Sequence, residues 1–316
     1  MQIRKSIVAA NVVMEALARN PDKCLSSEEI AIVRKAAGMG SAKSQYFLGE
    51  CHQKGNGVPK DLFEAVKWYH RAARGAVVLK GYAEAQYNLG VCYREGMGVK
   101  QDYAEAAKWL RKAADQELAK AQNDLGACYA KGRGVAQDNF EAVKWYHLAA
   151  RKGSDIAQYN LGVCYYNGTG VDRDYEESFN WFSRSAEQGN TAAQLEVGYF
   201  YYLGEHGIKK DNAKAFYWFQ KAAAQGNAEA QHTLGFCYLH GLGVNQDDGE
   251  ALKWLRWSAA QGFADAEWDL YQCYLEGKAV LRDTVEATKW LRNAASHGHK
   301  KAQQLLKELS RNKTYY

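Results

Sequence analysis

The chain has 316 residues, more than one compact hydrophobic core usually serves, so it is two domains, an unusually large one, or a repeat array that builds its core piece by piece. Its two prolines, Pro21 and Pro59, leave little room for extended linkers and suit a chain of helices and short turns. The net charge of +5 is spread among interspersed acids and bases, which argues against a nucleic-acid binder, and no apolar run approaches the roughly 20 residues that a membrane span requires.

Residues 1–40 read as an N-terminal helical cap. Met1 to Lys5 is basic, Ile7 to Met14 is largely apolar, and Ala16-Leu17-Ala18 has the form of a leader cleavage site. Against a leader stand Asn11 inside the apolar stretch and Glu15 just before that site. Ile3, Ile7, Ala10, Met14 and Leu17 instead share one helical face, as in an amphipathic helix closing a stack. A half-repeat, Ala31 to Gly38, completes the cap.

Residues 41–299 are periodic. Trp68, Trp109, Trp145, Trp181, Trp218, Trp254 and Trp290 follow one another at gaps of 41, 36, 36, 37, 36 and 36 residues. A second marker keeps the same register: Leu48-Gly49, Leu89-Gly90, Leu125-Gly126, Leu161-Gly162 and Leu234-Gly235, with Val197-Gly198 and Leu270-Tyr271 as variants. Seven units in one register define a repeat protein.

In the second unit, Ala85 to Tyr93 forms a helix that Gly96-Met97-Gly98 ends, glycine reaching positive φ without a Cβ penalty. Asp102 with Glu105 restarts the chain as a capping box, and the same pair recurs at Asp61/Glu64, Asp138/Glu141, Asp174/Glu177, Asp247/Glu250 and Asp283/Glu286. Only Asp211/Lys214 departs. The second helix buries Ala106, Trp109, Leu110 and Ala113, one apolar stripe. Gly90 lies inside the first helix, where it implies a crossing too close for a side chain. The long first gap places an insertion near Gly75 to Leu79, and the one-residue excess of the fifth unit falls in Gly204 to Gly207. Residues 300–316 read as a C-terminal capping helix, Ala302 to Leu309, and a basic tail.

These motifs resemble Sel1-like repeats, relatives of the tetratricopeptide repeats: Ala-x-x-x-Leu-Gly-x-x-Tyr, Gly-x-Gly-Val, Asp-x-x-x-Ala and Trp-x-x-x-Ala-Ala all stand between Ala85 and Ala114. The resemblance covers roughly residues 40 to 310. It implies an all-α fold, a right-handed α-solenoid of about seven helix-pair repeats with helical caps. Members act as adaptors or scaffolds in signalling, protein quality control and bacterium–host contact.

Chemical motifs are thin. Cys51, Cys92, Cys128, Cys164, Cys237 and Cys273 share one repeat position, which Phe200 fills in the fifth unit, so the site is an apolar packing position. Neighbouring copies lie a repeat apart, beyond disulfide reach, and unpaired thiols favour a reducing, cytoplasmic compartment, with export or delivery into a host cell as the alternative. The Gly-x-Gly turns lack the third glycine and the preceding strand of a dinucleotide loop. His297-Gly298-His299 has no evident carboxylate or cysteine set to complete a metal site. Some relatives are linked with β-lactamase activity, and Ser310-Arg311-Asn312-Lys313 matches the Ser-x-x-Lys of penicillin-recognising enzymes, yet it lies in the tail without Ser-Asp-Asn or Lys-Thr-Gly. An amide or β-lactam hydrolase therefore stands only as the alternative; no catalytic residue, metal or cofactor is expected.

In the related superhelices the first helix of each pair lines the concave groove. Positions there that differ between copies do not serve the shared packing, so they are the candidates for contact with a protein or extended peptide. These are Tyr87, Asn88, Asn123, Asp124, Tyr159, Asn160, Glu196, His232, Trp268 and Asp269, just before the repeat leucine, and Tyr199 and Phe236, just after it. Asn88 and Asn160 resemble the asparagines that clamp a peptide backbone in tetratricopeptide grooves, an amide both donating and accepting. Tyr166 and Tyr202 add aromatic anchoring nearby.

Overall fold

The computed structural model describes residues 2–74 and 81–312; the expected insertion near Gly75 to Leu79, and Lys313 of the tail motif, lie outside them. Among the described residues there are seventeen α-helices and no strand, an all-α solenoid. Helices α1 (Gln2–Arg19) and α2 (Ser27–Gly38) precede seven pairs. The pairs are α3 (Ala42–Lys54) with α4 (Leu62–Arg74), α5 (Ala83–Glu95) with α6 (Tyr103–Ala114), α7 (Ala119–Lys131) with α8 (Asn139–Arg151), and α9 (Asp155–Asn167) with α10 (Tyr175–Glu187). There follow α11 (Thr191–Leu203) with α12 (Asn212–Ala224), α13 (Ala228–His240) with α14 (Asp248–Ala259), and α15 (Ala264–Glu276) with α16 (Thr284–Ser296). Helix α17 (Lys300–Asn312) ends the described chain. The helices group into two compact units that divide between Asp172 and Arg173.

Turn chemistry sets the helix boundaries. Gly96 ends α5 in the left-handed conformation at φ 71°, its N–H donating to the Cys92 carbonyl. Asp102 restarts the chain by accepting from the N–H groups of Ala104 and Glu105. The expected capping box is only half made. The Asp102 N–H donates to the Tyr93 carbonyl at 2.9 Å, as Asp138 does to Tyr129 at 3.0 Å and Asp247 to Tyr238 at 3.1 Å. With that donor engaged by the preceding helix, the glutamate turns to a lysine three residues on, in Lys67–Glu64, Lys108–Glu105, Lys144–Glu141, Lys253–Glu250 and Lys289–Glu286. A full reciprocal box does form at Ser26 with Glu29, which starts α2.

At Gly49, Gly90, Gly126, Gly198 and Gly235 the second helix of the pair crosses close over the repeat glycine. A methyl at Gly90 would stand 2.7 Å from Leu110 Cγ, one at Gly126 2.7 Å from Tyr146 Cε1, and one at Gly235 2.9 Å from Leu255 Cγ. Between repeats the core is shared. Ala65, Tyr69 and Ala72 of α4 pack with Ala85, Leu89 and Cys92 of α5, and Trp109 of α6 closes over them. Trp145 does the same one junction later, and Trp254 and Trp290 in the second unit. No pair can bury its own apolar face alone, so stability accumulates junction by junction.

A buried glutamine ties each junction polar-to-polar. Gln86 donates to the Ala73 carbonyl, Gln122 to Ala114, Gln194 to Ala186 and Gln231 to Ala223, each reaching a carbonyl in the last turn of the preceding helix. Gln116, Gln225 and Gln261 donate in turn to the side-chain oxygens of Gln86, Gln194 and Gln231. The seventh repeat exchanges this amide pair for a carboxyl–imidazole one: buried Glu267 faces His297 Nδ1 at 2.9 Å.

At the N-terminal end, Ala10, Val13 and Met14 of α1 are buried with α2 and α3, Ile7 and Leu17 pack alongside, and Ile3 stays exposed. At the other end Ala302 of α17 is buried against Leu291 and Ala294. The fifth repeat does carry its longer loop, Gly204 to Asp211, in which His206 stacks on Tyr175 with ring centres 3.6 Å apart.

Candidate functional site

The sequence places the candidate residues on the first helices, and the structure treats them differently in the two units. On α5, α7 and α9 they bond to one another. Asp124 accepts from Arg94 at 2.8 Å and from the Tyr87 hydroxyl at 3.2 Å. Asn123 donates to the other Asp124 oxygen at 3.2 Å and accepts from Asn160 at 2.9 Å. Lys120 stands 4.4 Å from the Tyr87 ring centre, and burial, ahead of the Asp124 charge, pushes the Tyr87 phenol up to about 12. Asn88 lies against the Tyr46 and Tyr69 hydroxyls. Tyr159 is half-buried and Tyr166 exposed. The product is a polar ladder one helix wide, with Asn123 itself buried.

On α11, α13 and α15 the corresponding positions surround a cavity of about 260 Å³. Buried Phe219 and Cys237 form its floor, Tyr199, Tyr202, Phe236 and Phe263 its walls, and Glu229 and Asp265 stand exposed beside His232 and Thr233. The Tyr199 hydroxyl donates to Glu229 at 3.1 Å and lies 3.2 Å from the Thr233 hydroxyl. Burial, partly countered by Thr233, pushes the Tyr199 phenol up to about 12. Burial and the Glu229 charge also raise the pKa of half-buried Glu196. His232 pairs with Asp269 at 2.9 Å, and Trp268 stacks on His299 with ring centres 4.6 Å apart.

Sequence reasoning missed Arg94 and Lys120 in the ladder, and Glu229, Phe263 and Asp265 at the cavity. One signal was available. Helices α11, α13 and α15 contain no lysine or arginine but carry Glu196, Glu229, Asp265, Glu267, Asp269 and Glu276. Helices α5, α7 and α9 mix Arg94, Lys120 and Lys131 with Glu84, Glu95, Asp124 and Asp155.

The six repeat cysteines are buried free thiols, and Cys24 is exposed. Burial pushes Cys92 and Cys164 up to about 11 and Cys237 up to about 12, far from a reactive thiolate. The histidine pair of the seventh repeat needs a correction: carboxylates absent from its sequence neighbourhood do stand beside it. Helix α15 brings Glu267 to His297 and Asp265 to His299, the latter at 3.6 Å. Each forms a separate pair, and no group able to hold a metal ion forms among the described residues. Ser310 donates to the Lys307 carbonyl one helical turn back. No described helix is long and apolar enough to cross a membrane.

A family model described as Sel1 repeat matches residues 42–76, 83–118, 119–154, 155–190, 191–227, 228–263 and 264–299. Among solved structures, a protective antigen of uropathogenic Escherichia coli strains with an SLR fold is 38% identical, with a TM-score of 0.81. The match covers 89% of this chain and 59% of the antigen. A Sel1 repeat protein from Oxalobacter formigenes is 32% identical, with a TM-score of 0.73, over 97% of this chain and 87% of that one. Comparison with curated proteins found no match.

Proposed function

The chain belongs to the Sel1 repeat family, and from that premise we propose that it is a non-catalytic scaffold that binds a protein or extended peptide along the concave groove lined by its first helices. One observation carries the reading. Packing positions are nearly invariant from copy to copy and fully buried, Leu89, Leu125, Leu161, Leu234 and Leu270 among them, whereas the two residues just before them vary, Tyr-Asn in the second and fourth repeats, Asn-Asp in the third, His-Thr in the sixth and Trp-Asp in the seventh, and stay accessible in most. Accessible variation on a fixed frame is what a repeat surface needs for specific recognition. The proposed contacts are those on α5, α7 and α9, with Asn88 and Asn160, and the aromatic set of Tyr199, Tyr202 and Phe236. A cytoplasmic setting, in signalling or in contact between a bacterium and its host, fits buried reduced thiols.

The test is an affinity pull-down with the whole chain beside two variants, Asn88→Ala with Asn160→Ala, and Tyr202→Ala with Phe236→Ala. A protein retained by the parent and lost by either variant, with helicity unchanged, supports groove binding. Identical retention by all three moves the contact to the second helices or the caps.

A further inference from the structure

We propose that the cavity between α11, α13 and the start of α15 receives a basic side chain, arginine in preference to lysine, from an extended segment of the bound partner. This rests on the groove-binding reading and adds the chemistry of what the groove recognises.

Three independent features of the cavity converge on that occupant. The first is charge. The chain as a whole is +5, yet the three helices framing the cavity carry only acidic formal charges. Among the described residues Glu196 and Glu229 form no ion pair, and Asp265 meets only His299, at 3.6 Å. Burial first and the Glu229 charge second raise the Glu196 pKa, and a cation placed beside the two carboxylates relieves the second of these causes. The second feature is the wall. Four aromatic rings face a space of about 260 Å³, and a cation over a ring face gains most where water is excluded. Lys210 already stands 5.3 Å from the Tyr202 ring centre, so a ring at this site accepts a cation. The third is the arrangement of acceptors. Glu229 and Asp265 come from successive first helices and both line the cavity, an arrangement suited to one group that donates in several directions in a plane while stacking on the walls. A guanidinium does this and an ammonium does not.

A hydrophobic side chain would fill the aromatic space but leave the carboxylates unanswered. An acidic one would be repelled.

The experiment uses the whole chain and four end-labelled alanine–serine peptides of equal length, differing only in a central arginine, lysine, citrulline or leucine. Citrulline keeps the shape of arginine without its charge. Fluorescence anisotropy at low salt should place the arginine peptide about tenfold tighter than the citrulline peptide, with lysine between them. Glu229→Gln with Asp265→Asn keeps acceptors at both exposed positions and should bring arginine to the level of citrulline with an unchanged thermal melt. Phe236→Ala should weaken the arginine and lysine peptides together. Equal binding of arginine and citrulline, preference for leucine, or no binding of any peptide overturns the assignment. If the pull-down still returns a partner lost with the groove variants, only the cavity's chemistry falls; if it returns none, the groove reading falls as well.

Discussion

On α7, Asp124 is held by Arg94 and Tyr87 from the neighbouring first helix, and Asn123 accepts from Asn160 on the next. At the equivalent places on α11 and α13, Glu196 has no ion-pair partner among the described residues, and Thr233 and Tyr199 line an aromatic cavity. Both stretches are built on one packing frame, with Val197 in place of the leucine on α11, and Tyr271 and Glu267 in place of the glycine and glutamine on α15. The larger difference lies in residues the shared packing leaves free, and it separates two uses of such a surface. A ladder whose donors and acceptors meet each other stiffens the frame and gives a ligand the hydrogen-bonding capacity its amides have left over. A cavity with aromatic walls and exposed carboxylates, one of them without an ion pair among the described residues, adds little to stability and keeps interaction energy for a partner.

If the frames are equivalent, breaking them should cost the same in both units. Leu125→Ala and Leu234→Ala each remove a side chain with no exposed surface, and each should destabilise its own junction by about 2–5 kcal/mol. Hydrogen exchange measured by mass spectrometry reads the effect as faster exchange in α7–α8 or α13–α14. A loss in one unit without a comparable loss in the other would mean that the repeats do not share a packing code in energetic terms.

The faces should then respond oppositely to polar truncation. The Asp124 side chain is 18% exposed, so Arg94→Ala leaves it short of its charged donor in a shielded place and should cost about 1–2 kcal/mol, read as faster exchange of α5 and α7. Thr233→Ala removes a hydroxyl from the cavity wall and should cost less than about 1 kcal/mol. Equal costs would remove the distinction between a structural ladder and a binding cavity.

The frame was legible in the sequence because every repeat writes it again. Trp109, Leu89, Gly90 and the capping aspartates each recur where their neighbours do, and the burial of the six cysteines followed from Phe200 standing at the same position. What stayed hidden was lateral. Asn123 and Asn160 are 37 residues apart, and Arg94 meets Asp124 across 30; nothing in either local window names the other. The capping boxes misled for a related reason: the Asp102 N–H is taken by a carbonyl of the preceding helix, a bond set by the closure of the turn rather than by the Asp-x-x-Glu pattern. The exchange of Gln–Gln for Glu267–His297 is invisible until the junction glutamines are known to touch. Glu229 and Asp265 were within reach of composition, since the missing lysines and arginines of three first helices can be counted, but only the fold shows that the aromatic rings share that space.

The smallest expected effect concerns a single methyl. The second glycine of the inter-helix turn is left-handed at Gly98, Gly134 and Gly243, with φ of 70°, 77° and 74°, but the seventh repeat puts Ala279 there at φ 66°. A left-handed alanine costs about 1–2 kcal/mol in the folded chain, while glycine loses about 0.4–1 kcal/mol through the entropy of the unfolded one. Ala279→Gly should therefore stabilise by a net of about 0.5 kcal/mol, seen as slower exchange in α15 and α16. The converse change at Gly134 meets a second obstacle, because its added Cβ would fall on the Tyr103 carbonyl of the preceding repeat, so Gly134→Ala should lose more than Ala279→Gly gains. If Ala279→Gly destabilises instead, the alanine methyl contributes more through packing with the Leu252 and Leu255 cluster than its backbone strain removes, and the last turn has a packing rule of its own.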